Sequence, residues 1–462
     1  MTNSVNDMSR KEFDTIFISR TDNYAGSDNH GLFQVFKYFQ ETLKRDCAYL
    51  CTEGTLFERE GLYDVREFLP APVVNPKFRY AVLHSHGHAE TDPAHSQPYI
   101  DEIDITKLPK HKNVIVADKS DLDFRLTAKI MKHFDSQLII YGLVHNTHTG
   151  LCSYPEEMRC DKYKFESGCY NCEFVHQLRA DPFKRHIGAS FPEVQFEEMK
   201  KFLSLDLIKD SNRVKICSPA TYAQRQSRSS FLLKELPHYI VPLKNVGSSD
   251  LPDSKFLKLK REKKKKILNI LRSSGNQNLK NICVWSGYDP LIPRKGFKYY
   301  MDSLHLLEKK YFSEEQMQET AFYLVGNLKD FEKCDAFLPK KLQFFGAGLL
   351  DQQGVTDALL GADVYACTTL EDAMPRTIPE AAANGTPTVS FDRCIAWDFV
   401  DDKSGAIVET YDADKFAAAL SNVLTLSTRS LNKFKLKSRE NFNKFNDDAR
   451  IKAVWEEVLE TS

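Results

Sequence analysis

Asp372 and Glu380 stand eight positions apart in the segment Thr368-Thr369-Leu370-Glu371-Asp372-Ala373-Met374-Pro375-Arg376-Thr377-Ile378-Pro379-Glu380-Ala381-Ala382-Ala383-Asn384-Gly385-Thr386-Pro387. A strand should end near Thr368, and a polar acidic loop follows it. A helix should start near Thr377 and stop at Gly385, a C′-like position, with Pro387 ahead of the next strand. A helix start offers free backbone N–H groups to an anion, and Arg376 and Thr377 stand beside this one. Glu380, about one turn in, has two readings on spacing alone. It could accept hydrogen bonds from a pair of sugar hydroxyls, or it could simply favour a helix N-terminus. Upstream, Ser286-Gly287 closes a strand and Arg294-Lys295-Gly296 precedes a helical pattern. That cation pair is either a solvated helix start or a charge able to neutralise a departing anion.

Eleven cysteines are present. Seven of them (Cys47, Cys51, Cys217, Cys283, Cys334, Cys367 and Cys394) are scattered, mostly inside apolar runs, and read as buried thiols. The other four, Cys152, Cys160, Cys169 and Cys172, fall within 21 residues and end in Cys-x2-Cys. A tetrahedral thiolate zinc site stapling a long excursion is the leading reading. Free thiols, or a disulfide or cluster, are the alternatives. His84, His86 and His88 alternate after a strand, a spacing that can suggest a metal site. His145 follows another strand, and His30 shares a polar loop with Gly26 and Gly31.

These groups need elements to hold them, and hydrophobic periodicity supplies candidates. Strands are expected at Thr15–Ile18, Tyr80–Leu83, Val114–Ala117, Gln137–Val144, Val214–Cys217 and Tyr239–Pro242. Helical patterns fall at Leu32–Lys44, Asp121–Phe134 and Ser227–Leu236. A turn-rich break at Gly247–Ser254 reads as a linker. Lys255–Arg272 then carries nine Lys/Arg against one Glu. The alternation resumes with strands at Ile282–Trp285, Thr320–Val325, Leu342–Phe345, Val364–Thr368 and Thr388–Phe391. Helices are expected at Lys295–Lys309, Val355–Leu360, Thr377–Asn384, Asp412–Leu424 and about Asp447–Leu459. This is the rhythm of two α/β domains on mostly parallel sheets, whose ligands sit at carboxyl strand ends.

Composition narrows the class further. The 462 residues carry 63 Lys+Arg against 64 Asp+Glu, a formal net charge of −1. No whole-chain basic field points to nucleic acid. No apolar run approaches the length of a membrane span, and Met1–Asp14 is too polar for a secretory signal. A cytoplasmic protein is expected.

The Asp372–Glu380 segment resembles the acid-x7-acid motif of the retaining glycosyltransferases of family 4, also called group 1. The likeness continues through Phe391-Asp392 to Asp398, Asp401, Lys403 and Gly405. It includes Ser286-Gly287, Arg294-Lys295-Gly296, Val325-Gly326-Asn327 and Phe345-Gly346-Ala347. His145-Asn146-Thr147-His148-Thr149-Gly150-Leu151-Cys152-Ser153-Tyr154-Pro155, with Cys160 and Gly168-Cys169-Tyr170-Asn171-Cys172, is similar to a stretch in relatives that build bacterial cell-surface polysaccharides. Three departures stand out. Arg376 replaces the usual Asn, Asn146 the usual Asp, and Tyr288 an Arg found in many members.

The resemblance implies the GT-B fold: two Rossmann-like domains facing each other across a cleft, with a C-terminal helix crossing back to the first. The acceptor-side domain would span 1–248 with a Cys-rich insertion at about 150–175, and the nucleotide-sugar domain 255–440. Residues 441–462 would form the returning helix. The activity implied is transfer of a sugar from a UDP- or GDP-linked donor to a hydroxyl of a glycan or lipid-linked acceptor, in surface-polysaccharide synthesis. Catalytic roles would fall to His145, Lys295, Asp372 and Glu380. Donor contacts would come from Gly26, Ser286, Arg294, Lys295, Gly326, Asp372, Arg376, Thr377 and Glu380. His84-Ser85-His86 would line the acceptor side without metal. No catalytic cofactor is implied, and any zinc on the four cysteines would be structural. The basic run is either a solvated helix or a peripheral contact with the inner membrane face. Two other functions fit the same residues: a catalytically impaired partner subunit and a GT-B nucleotide-sugar 2-epimerase.

Overall fold

The computed structural model describes residues 12–21, 31–53, 62–64, 105–116, 124–142, 161–168, 192–209, 212–244, 251–287, 290, 293–327, 337–370, 372 and 375–460. Gly26, His30, His84, His86, His88, His145, Tyr288, Glu371 and the set Cys152, Cys160, Cys169 and Cys172 lie outside the described residues. So do the strand expected at Tyr80–Leu83 and the first half of the linker at 247–254. The chain divides into two compact units, residues 1–244 with 448–462, and residues 245–447.

The first unit is built on seven parallel strands: β1 (Glu12–Thr21), β2 (Cys47–Glu53), β3 (Leu62–Asp64), β4 (Lys110–Val116), β5 (Gln137–Tyr141), β6 (Val214–Ser218) and β7 (His238–Ile240). Their order is β3-β2-β1-β4-β5-β6-β7. Running outward in both directions from β1, this is the doubly wound arrangement. Helices cover both faces of such a sheet, so its inner strands must be apolar on both sides. Accordingly, β5 and β6 are buried at every residue. Helix α1 (Gly31–Tyr38) sets Phe33 and Phe36 against Phe17 and Tyr49, the Phe36 and Tyr49 rings meeting edge-on at 5.3 Å.

The helix Asp448–Glu460 also belongs to this unit. Its Trp455 is 1% exposed, lying edge-on to Phe39 at 4.8 Å and stacked on Tyr141 at 5.8 Å. At its carboxyl end, Val458 O accepts from Lys215 Nζ at 2.6 Å, and Val458 O and Leu459 O accept from Gln137 Nε2. A buried ammonium thus meets the negative end of a helix.

One expected element is displaced. The helix is α2 (Thr221–Ser229), and residues 231–236 are turns rather than the end of a helix at Ser227–Leu236. Ser230 is extended, and Phe231 N donates to Tyr163 O at 2.9 Å, which draws the chain off the helical axis. Leu232 and Leu233 still reach the core, from the turn.

The second unit carries six parallel strands: β8 (Asn281–Ser286), β9 (Thr320–Val325), β10 (Gln343–Gly348), β11 (Val364–Cys367), β12 (Thr388–Phe391) and β13 (Gly405–Val408). The order β10-β9-β8-β11-β12-β13 repeats the doubly wound pattern. The basic run forms α3 (Asp253–Arg272). Three of its lysines turn into the unit. Lys260, 2% exposed, donates to Asn384 O at 2.7 Å and to Thr386 Oγ1 at 3.1 Å. Lys263 pairs with Asp357 and Lys264 with Asp363, each at 2.6 Å. Asp363 also takes Lys435 at 3.0 Å, from the helix Thr428–Phe445, which the sequence reading did not anticipate. Among the described residues no helix is long and apolar enough to cross a membrane.

Candidate active site

In a doubly wound sheet the ligand crevice opens where strand order reverses, outside the carboxyl ends. In the second unit that point lies between β8 and β11, which pair directly. Ser286-Gly287 therefore flanks one side and Thr368–Asp372 the other.

Residues 294–296, which follow β8, lie against the end of β11. Pro293–Lys295 makes a 3-10 turn, Gly296 takes φ +66°, and helix α4 (Phe297–Leu306) begins. A Cβ on Gly296 would stand 1.9 Å from Thr368 O, so only glycine lets the two backbones approach this closely. Leu370 N donates to Arg294 O at 2.8 Å. Thr368 Oγ1 accepts from Trp285 Nε1 at 3.1 Å and donates to Lys295 O at 3.2 Å. This lacing delivers Lys295 Nζ to 3.0 Å and Arg294 Nη1 to 3.4 Å from the same Asp372 oxygen. The three side chains are 21% to 29% exposed. Two cations on one carboxylate leave a positive charge in excess, on side chains that keep part of their surface exposed.

A second group is built on α5 (Gln352–Gly361) and α6 (Thr377–Ala383). Glu380 Oε1 accepts from Gln352 Nε2 at 3.3 Å and lies 3.9 Å from Arg376 Nη2. Its side chain is 12% exposed. Burial pushes the Glu380 carboxyl above its ordinary range, and Arg376 and Gln352 pull it part of the way back. Arg376 Nε is buried with no hydrogen-bond partner. Tyr365, inside β11, joins the two groups. Its hydroxyl donates to Thr377 Oγ1 at 2.7 Å and meets Ser286 Oγ at 3.0 Å.

The structure thus gathers Ser286, Arg294, Lys295 and Asp372 at one strand pair, with Thr377, Arg376 and Glu380 on the adjoining helix. Gly326 directly follows β9, and its N–H is committed to Gly348 O at 3.0 Å. Asp392 and Asp401 serve the fold: Asp392 accepts from Thr410 N, and Asp401 from Lys403 N, Ser404 Oγ and Asn441 Nδ2. Gln352 and Tyr365 were not anticipated. A tyrosine between Val364 and Ala366 reads as core, and Gln352 carries no local signal of its partner. Five of the scattered cysteines, Cys47, Cys217, Cys283, Cys367 and Cys394, are buried free thiols. Among the described residues no three of His, Cys, Asp and Glu gather as metal ligands.

Residues 280–425 match the family model described as glycosyl transferases group 1, so this third of the chain carries a glycosyltransferase group 1 domain. No curated protein matches the chain. Similar solved structures include a glycosyltransferase from Rickettsia africae, 14% identical with a TM-score of 0.58 over 97% of this chain and 100% of that one. The N-terminal domain of trehalose-6-phosphate phosphatase from Candida albicans is 12% identical, with a TM-score of 0.58 over 98% and 97%. Anabaena HepE in complex with UDP-glucose is 13% identical, with a TM-score of 0.53 over 97% and 100%. At these identities the likeness establishes the fold, GT-B, with two Rossmann-like α/β units.

Proposed function

We propose that this chain is a retaining glycosyltransferase. It moves a sugar from a UDP- or GDP-linked donor to a hydroxyl of a glycan or lipid-linked acceptor in surface-polysaccharide synthesis. The observation that carries the reading is the Lys295–Asp372–Arg294 cluster at the β8/β11 switch point, within the segment that matches the group 1 glycosyltransferases. The UDP-glucose complex of the similarly folded Anabaena protein supports the donor class.

In this reading Lys295 and Arg294 take the donor diphosphate. As the bond between the sugar's anomeric carbon and the phosphate oxygen breaks, negative charge grows on that oxygen, and the two cations are already in place to meet it. Arg294 adds planar donors to the point charge of Lys295. Asp372, released from both, accepts hydrogen bonds from the donor sugar's hydroxyls. Glu380 holds the ribose diol. His145 is assigned to the reacting face on sequence grounds, and Cys152, Cys160, Cys169 and Cys172 to a structural zinc. Lys255, Lys258, Arg261, Lys265 and Lys266 remain exposed on α3, which supports peripheral contact with an anionic leaflet.

A thermal-shift panel with UDP, GDP, ADP and CMP, run on the wild type and on Glu380→Ala, tests the reading. At a hundredfold excess over Kd the cognate nucleotide adds about 2.7 kcal/mol. That shift should appear with one diphosphate and vanish in the variant. Lys295→Ala should lower turnover about 10²-fold. No shift with any nucleotide would sink the reading in favour of a partner subunit without turnover, to which the Arg376 guanidinium beside Glu380 already gives some weight.

A further inference from the structure

Ser286, Tyr365 and Thr377 form a line of hydroxyls. Ser286 Oγ lies 3.0 Å from Tyr365 OH, and Tyr365 OH donates to Thr377 Oγ1 at 2.7 Å. Tyr365 is 1% exposed, whereas Ser286 and Thr377 are half-buried. A hydroxyl has one proton to give and two lone pairs to accept with. The Tyr365 proton goes to Thr377, so Ser286 must give its own to Tyr365, and the direction of both bonds is fixed. At one end Thr377 keeps a proton to offer. At the other, Ser286 offers only lone pairs. Burial pushes the phenol far above its ordinary range, more than its two hydroxyl neighbours pull it down, so the line stays protonated at working pH.

We propose that Tyr365 is a positioning residue which aims the Thr377 proton at an anionic oxygen of a bound nucleoside diphosphate and turns Ser286 into an acceptor for a hydroxyl of the transferred sugar. The proposal rests on the nucleotide-sugar reading and sorts two of its contacts by chemistry. Thr377 suits phosphate, whereas Ser286 suits a hydroxyl of the transferred sugar, which neither the diphosphate nor the nucleoside carries. Consecutive hydrogen bonds polarise one another, so the terminal donor is better than an isolated threonine. Packing gives no reason for the oxygen. The other residues of β11, Val364, Ala366 and Cys367, are apolar, and phenylalanine would fill the same space.

Tyr365→Phe keeps the ring and cuts the line. Full-length wild type, Tyr365→Phe, Thr377→Val and the double variant are titrated with UDP and uridine, or with GDP and guanosine where the nucleotide panel selects guanine. Each single variant should raise the diphosphate Kd roughly tenfold, the scale of one charge-assisted hydrogen bond. Nucleoside affinity should stay within about twofold, and the double variant should bind no more weakly than Thr377→Val alone, because both changes cut one link. If Tyr365→Phe does not fold, Thr377→Val supplies the same comparison of diphosphate with nucleoside. Diphosphate binding at the wild-type level, or an equal loss for diphosphate and nucleoside, overturns the proposal and leaves the nucleotide-sugar reading standing. A wild type that binds no nucleoside diphosphate overturns both.

Discussion

In the proposed function, Glu380 sets ligand binding against stability in a single side chain. Its burial raises the carboxyl above the ordinary range, so the folded chain binds a proton more readily than the unfolded chain. The ionised group therefore costs stability above its folded pKa, and that cost is relieved as pH falls through it. Glu380→Gln should raise the melting temperature of the empty protein by about 2 °C at neutral pH while abolishing the nucleotide-induced shift. Melting curves at pH 5 and pH 8 should show the gap between variant and wild type narrowing at the lower pH. A variant that melts below wild type at pH 8 would contradict this account of the site. The place of Glu380 one turn into a helix was legible in the sequence, because a helix start is a local fact, whereas spacing alone left its role with two readings. Its partner Gln352 was not. The bond between them joins residues 28 positions apart, and only the fold brings them together.

At the level of elements, the β8 loop and the end of β11 act as one piece. Gly296 is its hinge point, with a left-handed backbone and a carbonyl where a side chain would go. Gly296→Ala should cost at least about 3 kcal/mol in denaturant unfolding and displace Lys295 from Asp372, so that diphosphate binding fails even at low temperature. Binding at the wild-type level would show that the close approach is dispensable. Most strands and helices of this unit could be read from periodicity, with Gly385 and Pro387 marking where α6 ends. The helix Thr428–Phe445 could not. Its buried positions, Leu431, Lys435, Ser438, Arg439, Phe442 and Phe445, follow helical spacing, yet polar types hold half of them. Lys435 is accommodated by Asp363 and Ser438 by Ser404 O, and hydropathy does not reveal such partners. The displaced α2 failed for a similar reason: the bond from Phe231 to Tyr163 is a tertiary contact.

Across the whole molecule, each unit has its own hydrophobic core. Calorimetry should therefore resolve separable responses. Trp455→Ala removes the ring wedged against Phe39 and Tyr141, and should lower the first unit's stability by about 3–5 kcal/mol while leaving the nucleotide-stabilised transition in place. Loss of both transitions together would mean the units do not melt independently. That the chain holds two α/β units was plain from the recurring strand–helix rhythm. That the first unit is finished by residues 448–460 follows from Trp455 meeting Phe39 and Tyr141, and Val458 meeting Lys215 and Gln137, each across more than two hundred positions. This discontinuity constrains synthesis. At about 5–20 residues per second, a ribosome spends some 10–40 seconds making the roughly 200 residues of the second unit while the first waits without its last helix. Throughout that interval the Lys215 ammonium and the surface meant for Trp455 lack their partners. The second unit can complete its own fold first, and a nascent chain stalled near Asp447 would be a substrate for chaperones and proteases rather than a half-active enzyme.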